Sequence, residues 1–291
     1  MIISKQTMIH PQLIQRSEVR DPSISLVIPI RNLYGTRIRN LLRSIELQST
    51  ESLQTVISNY GSTKENTKKL LEITSDFDCA IWDTPTDELW GLSIASNIGI
   101  RRAKGKYIAR LDADLILEPR VLKDTLQRLA TRRNLFIIRQ PIFLPEYFDC
   151  TALELPRDYV ALRMQPKRYI APSYGAFVVT ERAWWHRVRG YEERMKVWGL
   201  PDWDLWRRTA RSGLRRLLIG ESRSRGKRPI IKPPKDTLVY HQWHQVPHLR
   251  QGLDEETFNY YRERNREVYA EYREIVKNDE GWGLGDSGMD S

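Results

Sequence analysis

Asp112 and Asp114 flank a single alanine, Ala113, in the stretch "YIARLDADLILEP". Carboxylates at this spacing can share a divalent cation, and they are costly to bury in an apolar strand without such a partner. Residues i and i+2 of a strand face the same side, so both carboxylates can meet one ligand. The triplet alone is a weak signal. Asp76-Phe-Asp78 and Asp202-Trp-Asp204 repeat it, and about one such triplet is expected by chance. A second group with chemical potential is "VYHQWHQVPH", which holds three of the five histidines, His241 and His244 among them.

The elements that must position these residues follow from periodicity. "SISLVIPIRN" is a continuous apolar run, as a buried parallel strand requires. "GTRIRNLLRSIELQ" has apolar residues at helical spacing. The same alternation repeats through "LQTVISNYGST", "KENTKKLLEITSDF", "DCAIWD", "LSIASNIGIRRAKG", "KYIARLDAD" and "PRVLKDTLQRLATR". This strand–helix order predicts an α/β fold, a mostly parallel central sheet flanked by helices. Ligands of such sheets bind beyond the carboxyl ends of the strands. The ends at Arg31, Asn59 and Asp112-Ala-Asp114 should therefore border one crevice. Farther on, a strand is predicted up to Val179, a helix over 202–213 and a short strand into the histidines. A long helix is expected over 254–277, followed by a Gly/Asp/Ser-rich tail that frays.

The chain has 291 residues and a net charge of +10. That balance favours phosphorylated ligands, polyanions or anionic membrane surfaces. Much of it lies in the basic 215–235 segment, which reads as a solvated loop, a lid over a diphosphate or a peripheral membrane contact. No nucleic-acid motif accompanies it, so no nucleic-acid partner is expected. No apolar run is long enough to cross a membrane, and no secretory signal is visible. Cys79 and Cys150 lack metal-ligand spacing and read as free thiols, so a cytoplasmic location is expected. Seven of the nine tryptophans lie between Trp82 and Trp206, which suits either a substrate cleft or an aromatic core.

In the order "SLVIPIRN", "SNYGST", "SNIGIRRAKGKYIARLDAD", "YGAFVVTERAWW", "VWGLPDWDLWRR" and "VYHQWH", the chain resembles the family 2 inverting glycosyltransferases of GT-A fold. It is most similar to the branch of polysaccharide polymerase domains and galactosyltransferase C-terminal-like modules. The resemblance implies a GT-A domain over 23–250, with a nucleotide-binding half (23–118) and an acceptor-side half (119–250). Residues 1–22 would be an N-terminal extension, and 251–291 a C-terminal helix with a flexible tail. It implies transfer of a hexosyl or N-acetylhexosaminyl group from a nucleoside-diphosphate sugar, UDP favoured, to a glycan or lipid-linked acceptor.

By the same resemblance Asp114 and Asp112 hold Mn2+ or Mg2+ together with a histidine. Because His241 and His244 lack the i,i+2 spacing of one strand face, only one of them is expected to ligate, His241 for preference. Asp202 would be the general base; its alternative is a helix-start cap. Pro29, Ile30, Arg31, Asn59, Asn97, Asp112, Ala113, Asp114 and Gly175 would bind the donor, Gly175 by letting the sugar approach the backbone. Tyr174, Trp198 and Asp204 would face the acceptor. The chain departs from the family pattern at three points: Pro201 replaces a glutamate, Asn59 an aspartate and Ser96 an arginine. Charge near the diphosphate would then come from Arg101 or the basic segment. A non-catalytic sugar-binding module and a sugar nucleotidyltransferase are the alternatives.

Overall fold

The computed structural model describes residues 10–50, 52–166, 174–197, 199–220, 230–244, 252–271 and 273–285. The first half runs β1 (Gln12–Gln15), β2 (Ile24–Ile30), α1 (Thr36–Glu46), β3 (Leu53–Tyr60), α2 (Lys64–Thr74), β4 (Ala80–Thr84), α3 (Leu92–Arg102) and β5 (Tyr107–Leu111). Then come β6 (Leu115–Leu117), α4 (Val121–Thr131), β7 (Leu135–Arg139), β8 (Ile142–Phe143), α5 (Tyr159–Met164), β9 (Phe177–Glu181) and α6 (Arg182–Val188). The chain closes with α7 (Pro201–Arg211), β10 (Arg215–Ile219), β11 (Ile230–Ile231), β12 (Val239–His241) and α8 (Glu255–Ala270).

Nine strands form one sheet in the order β1-β4-β3-β2-β5-β9-β7-β10-β11. β2 pairs in parallel with both β3 and β5, so their carboxyl ends share one edge. β9 runs antiparallel between β5 and β7, and β1 antiparallel at the edge beside β4. This is the mostly parallel α/β sheet that the alternation predicts. β2 is buried at every position because both sheet faces are covered. Ile24, Leu26, Ile28 and Ile30 pack on the face of α1, α2 and α4. Val27 points the other way, into a cluster with Trp184 and Trp185 of α6 and Leu205 and Trp206 of α7.

A second, three-stranded sheet has the order β6-β12-β8. Its register sets His241 opposite Leu115, the residue after Asp114. That register delivers a histidine to the acidic strand end.

Three local expectations are corrected. Part of the 1–22 segment, β1, is a strand of the main sheet. α8 stops at Ala270 rather than at Lys277. The chain beyond it packs rather than frays as far as residue 285: Trp282 is buried, and the carbonyls of Glu280 and Trp282 accept from Arg101 Nη1 at 2.8 and 2.6 Å. Past the helix end Lys277 turns inward, its Nζ 3.0 Å from the buried carboxylate of Asp204. Among the described residues no helix is long and apolar enough to cross a membrane.

Candidate active site

A cavity of about 830 Å³ opens at the shared carboxyl edge of β2 and β5. Pro29, Ile30 and Arg31 line it from the end of β2, and Asp112, Ala113 and Asp114 from the end of β5. Asp202, His241 and His244 line it from the second half of the chain. Residues separated widely in sequence therefore meet as the strand-end rule requires.

Asp114 lies between the two histidines. Its Oδ1 is 3.4 Å from His241 Nε2, and its Oδ2 is 2.8 Å from His244 Nε2. One donor atom from each of the three residues falls within 4.8 Å of the others. Both histidines stand beside the Asp114 carboxylate. The strand ends at His241, and the next residues leave strand geometry, so the i,i+2 rule does not govern His244. Gln242 fixes this turn. It is buried; its backbone N–H donates to Asp114 O at 2.9 Å, and its Nε2 to Arg37 O at 3.0 Å. Asn40 Nδ2 in turn donates to Gln242 Oε1 at 2.9 Å.

The donor set fits a divalent cation. It combines one carboxylate with two imidazoles, and the buried Asp114 Oδ1 and His241 Nδ1 make no hydrogen bond. Burial alone would raise the Asp114 carboxyl, but the flanking imidazoles outweigh it and hold it down at about 2. It therefore stays ionised, as a ligand must. Asp112 is not part of this cluster. Its Oδ1 is 2.6 Å from the buried Arg110 guanidinium.

Arg110 was invisible in the sequence, being one charge inside an apolar strand. It holds Asp112 and donates from Nη1 to Gly175 O at 2.7 Å. Gly175 is needed for a different reason from the one expected. A Cβ at this position would lie 2.2 Å from the carboxylate atoms of Asp202. The missing side chain makes room for Asp202.

Asp202 sits in the first turn of α7, after Pro201 at the helix start. No side chain caps this helix, and Asp202 Oδ1 is buried without a hydrogen bond, so Asp202 is not spent as a cap. Burial pushes its carboxyl up to about 6, against the pull of Arg110 and with the help of Asp112. The approach to α7 is conformationally strained: Val197 and Leu200 have φ of 64° and 71°, a cost of about 1–3 kcal/mol each. Asn265 of α8 supports it. Its Nδ2 donates to the carbonyls of Lys196 and Gly199 at 2.9 and 3.3 Å.

Several expected site residues go elsewhere. Asn59 does not line the cavity. Its Nδ2 donates to Asp83 Oδ1 and Thr67 Oγ1, and its Oδ1 accepts from Ser62. Asn97 is fully buried and braces the loop after α6, donating to Tyr191 O and Glu193 Oε1 at 2.8 Å each. Asp204 faces inward to Arg208 at 2.8 Å and to Lys277, so it offers nothing to an acceptor. Arg101 serves the C-terminal segment rather than a diphosphate. Arg31 and Arg37 are the cations at this end of the cavity. Tyr174 packs under Trp203, which does line the cavity, with ring centroids 4.6 Å apart. Trp198 lies outside the described residues. Of the basic segment, Arg215–Ile219 is a sheet strand, and 221–229 lies outside the described residues. The tryptophans divide: Trp184, Trp185 and Trp206 are core, while Trp90 and Trp203 border the cavity. Cys79 and Cys150 are free, and burial pushes their thiols up to about 12 and about 11.

Comparison with known proteins gives a consistent result. A fragment of S. aureus TarS in complex with UDP superposes with a TM-score of 0.51 at 13% identity, covering 86% of this chain and 70% of that one. Another TarS structure covers 65% of this chain and 55% of its own at a TM-score of 0.46 and 14% identity. An uncharacterized glycosyltransferase of Rickettsia bellii is 29% identical over 96 residues, which is 33% of this chain and 13% of that protein. The model for the N-terminal domain of galactosyltransferase matches residues 159–242. The model for glycosyl transferase family 2 matches residues 25–194. That match takes in more than half of the chain and joins the strand ends of the cavity to the Gly175 strand beside Asp202; the chain belongs to glycosyl transferase family 2.

Proposed function

We propose that this protein transfers a sugar from a nucleoside-diphosphate donor, UDP-linked for preference, to a hydroxyl of an acceptor, with inversion at the anomeric carbon. One observation carries the reading. An ionised carboxylate between two imidazoles and an unpaired carboxylate raised to about 6 line the same cavity. The first suits the donor, and the second suits a base.

Asp202 accepts the acceptor's hydroxyl proton as the oxygen attacks the anomeric carbon. The new carbon–oxygen bond forms while the bond to the diphosphate breaks, so a single displacement inverts the centre. Asp114, His241 and His244 would hold Mn2+ or Mg2+, which supplies positive charge for the departing diphosphate. Arg31 and Arg37 add fixed cations at the same end. Pro29 and Ile30 form the apolar wall for base and ribose. Arg110 holds Asp112 and the Gly175 carbonyl in place, and Gly175 leaves the space that Asp202 occupies. A UDP donor is supported by the UDP complex of the TarS relative.

The test is transfer and donor hydrolysis across UDP- and GDP-sugars with Mn2+, for the wild-type chain and Asp202→Asn. The variant should lose transfer and keep metal-dependent nucleotide binding. If the wild-type chain neither binds any nucleotide with metal nor consumes any donor, the proposal fails, and the non-catalytic reading takes its place.

A further inference from the structure

The basic side chains of the cavity fall into two sets. Arg31 and Arg37 follow β2 and border the donor end. Arg262 and Arg266 of α8 line the cavity as well, while Lys196 stands near Arg31, its Nζ 2.8 Å from Glu88 Oε2 and Arg31 Nη1 donating to the Glu88 carbonyl at 2.6 Å. Asn265 fixes the placement of α8. It is buried and bonded to the backbone of Lys196 and Gly199, on the loop that enters α7. Arg262 and Arg266 are one helical turn apart on α8, either side of Asn265 in sequence, and both line the cavity. The arginine face of α8 therefore overlooks the approach to the base.

The donor does not account for these charges. A diphosphate bound with a divalent cation is close to neutral, and Arg31 and Arg37 already stand at its end. The carboxylates of the cavity are Asp112, Asp114 and Asp202, and Asp112 is matched by Arg110. Lys196 pairs with Glu88, and Arg266 with Glu263. Arg262 has no carboxylate partner among the described residues and rests over the Phe258 ring at 6.0 Å. In the same cavity Trp203 is 46% exposed, backed by Tyr174, and offers a flat apolar face. Such a face suits a sugar ring, and a guanidinium suits a carboxylate or phosphate.

We infer that the acceptor is an anionic carbohydrate, which lays a sugar ring on Trp203 and sets a carboxylate or phosphate against Arg262 and Arg266. The inference rests on the glycosyltransferase reading for its use of the word acceptor.

The test compares binding of three probes, methyl glucoside, methyl glucuronide and methyl glucoside 6-phosphate, to the full chain at low salt, with and without UDP and Mn2+. The charged glycosides should bind about tenfold or more tightly than the neutral one, with salt reducing the difference. Whichever charged probe binds more tightly names the anion. Replacing Arg262→Gln together with Arg266→Gln should erase the preference and leave UDP affinity unchanged. Trp203→Ala should weaken all three probes alike. Equal binding of charged and neutral probes, or no binding of either charged probe, overturns the inference. So does a preference that survives the double replacement, or a double variant that loses UDP affinity instead, since the arginines would then serve the donor. The UDP measurement is read separately. A wild-type chain that takes up no UDP with Mn2+ counts against the donor reading, while the probes on nucleotide-free protein still decide the charge preference.

Discussion

At Asp202 two physical effects oppose each other. The first turn of a helix favours an ionised carboxylate by about 0.3–1 kcal/mol. Burial against the sheet edge disfavours it by more, and the carboxyl rises to about 6. A base must be ionised to act, so kcat/KM for transfer should climb as the pH rises through about 6 and level off above it. UDP binding should not follow that profile. A rate that stays flat across this range would remove Asp202 from the role. The stability sign is opposite. A raised carboxyl contributes stability that is fully present below the unfolded value and lost as pH rises through about 6. Asp202→Asn should therefore be more stable than the wild type above pH 7, by up to about 3 kcal/mol. Gly175 carries a companion prediction. Gly175→Ala places a methyl 2.2 Å from the Asp202 carboxylate, and displacement of about 1 Å costs on the order of 100-fold in rate. Its kcat should fall by that order while metal-dependent UDP affinity holds. Asp112, Asp114, Asp202 and the histidines could be singled out from sequence because each sits in a patterned block. Arg110 could not, since a lone arginine in an apolar strand has no pattern.

Among the elements, α7 and the chain after α8 depend on each other. Asp204 and Arg208, one turn apart on α7, are almost fully buried, and Lys277 comes from outside to complete the group. Removing one member of such a group leaves an uncompensated buried charge, which costs about 3–5 kcal/mol. Lys277→Ala should lower thermal stability by that amount. Asp204→Leu with Lys277→Met should cost less than the sum of the two single changes, because their ion pair is removed as a unit while Arg208 stays behind. A cost under about 1 kcal/mol for Lys277→Ala would show that the pair is not structural. Asp204 also illustrates where reading a sequence stops. Aspartates two apart at a helix start look equivalent, but helical geometry turns them about 200° apart. One then meets the cavity and the other the core. The helix pattern through Lys277 misled in the same way. Local periodicity continued, but the chain leaves the helix at Ala270 and Lys277 is buried in a tertiary ion pair.

For the whole molecule, the parallel sheet was legible because alternating strands and helices leave few other arrangements. The small sheet β6-β12-β8 was not, since three strands of two or three residues carry no periodicity. Yet that sheet brings His241 and His244, more than 120 residues downstream, to Asp114. The cluster ties the late chain to the early strand end, so filling it should stabilise the fold as a unit. A ligand at a hundred times its Kd adds about 2.7 kcal/mol, and a chain of this size converts that to roughly 5–10 °C. UDP with Mn2+ should raise the melting temperature by that amount, and chelation should remove the gain. His241→Ala and His244→Ala should each abolish most of it, because both imidazoles face the same carboxylate. Asp202→Asn should keep it, because that carboxylate is at the acceptor side. If one histidine variant retains the full shift, the second histidine is a neighbour of Asp114 and not a ligand. The site would then hold its ion with a single histidine.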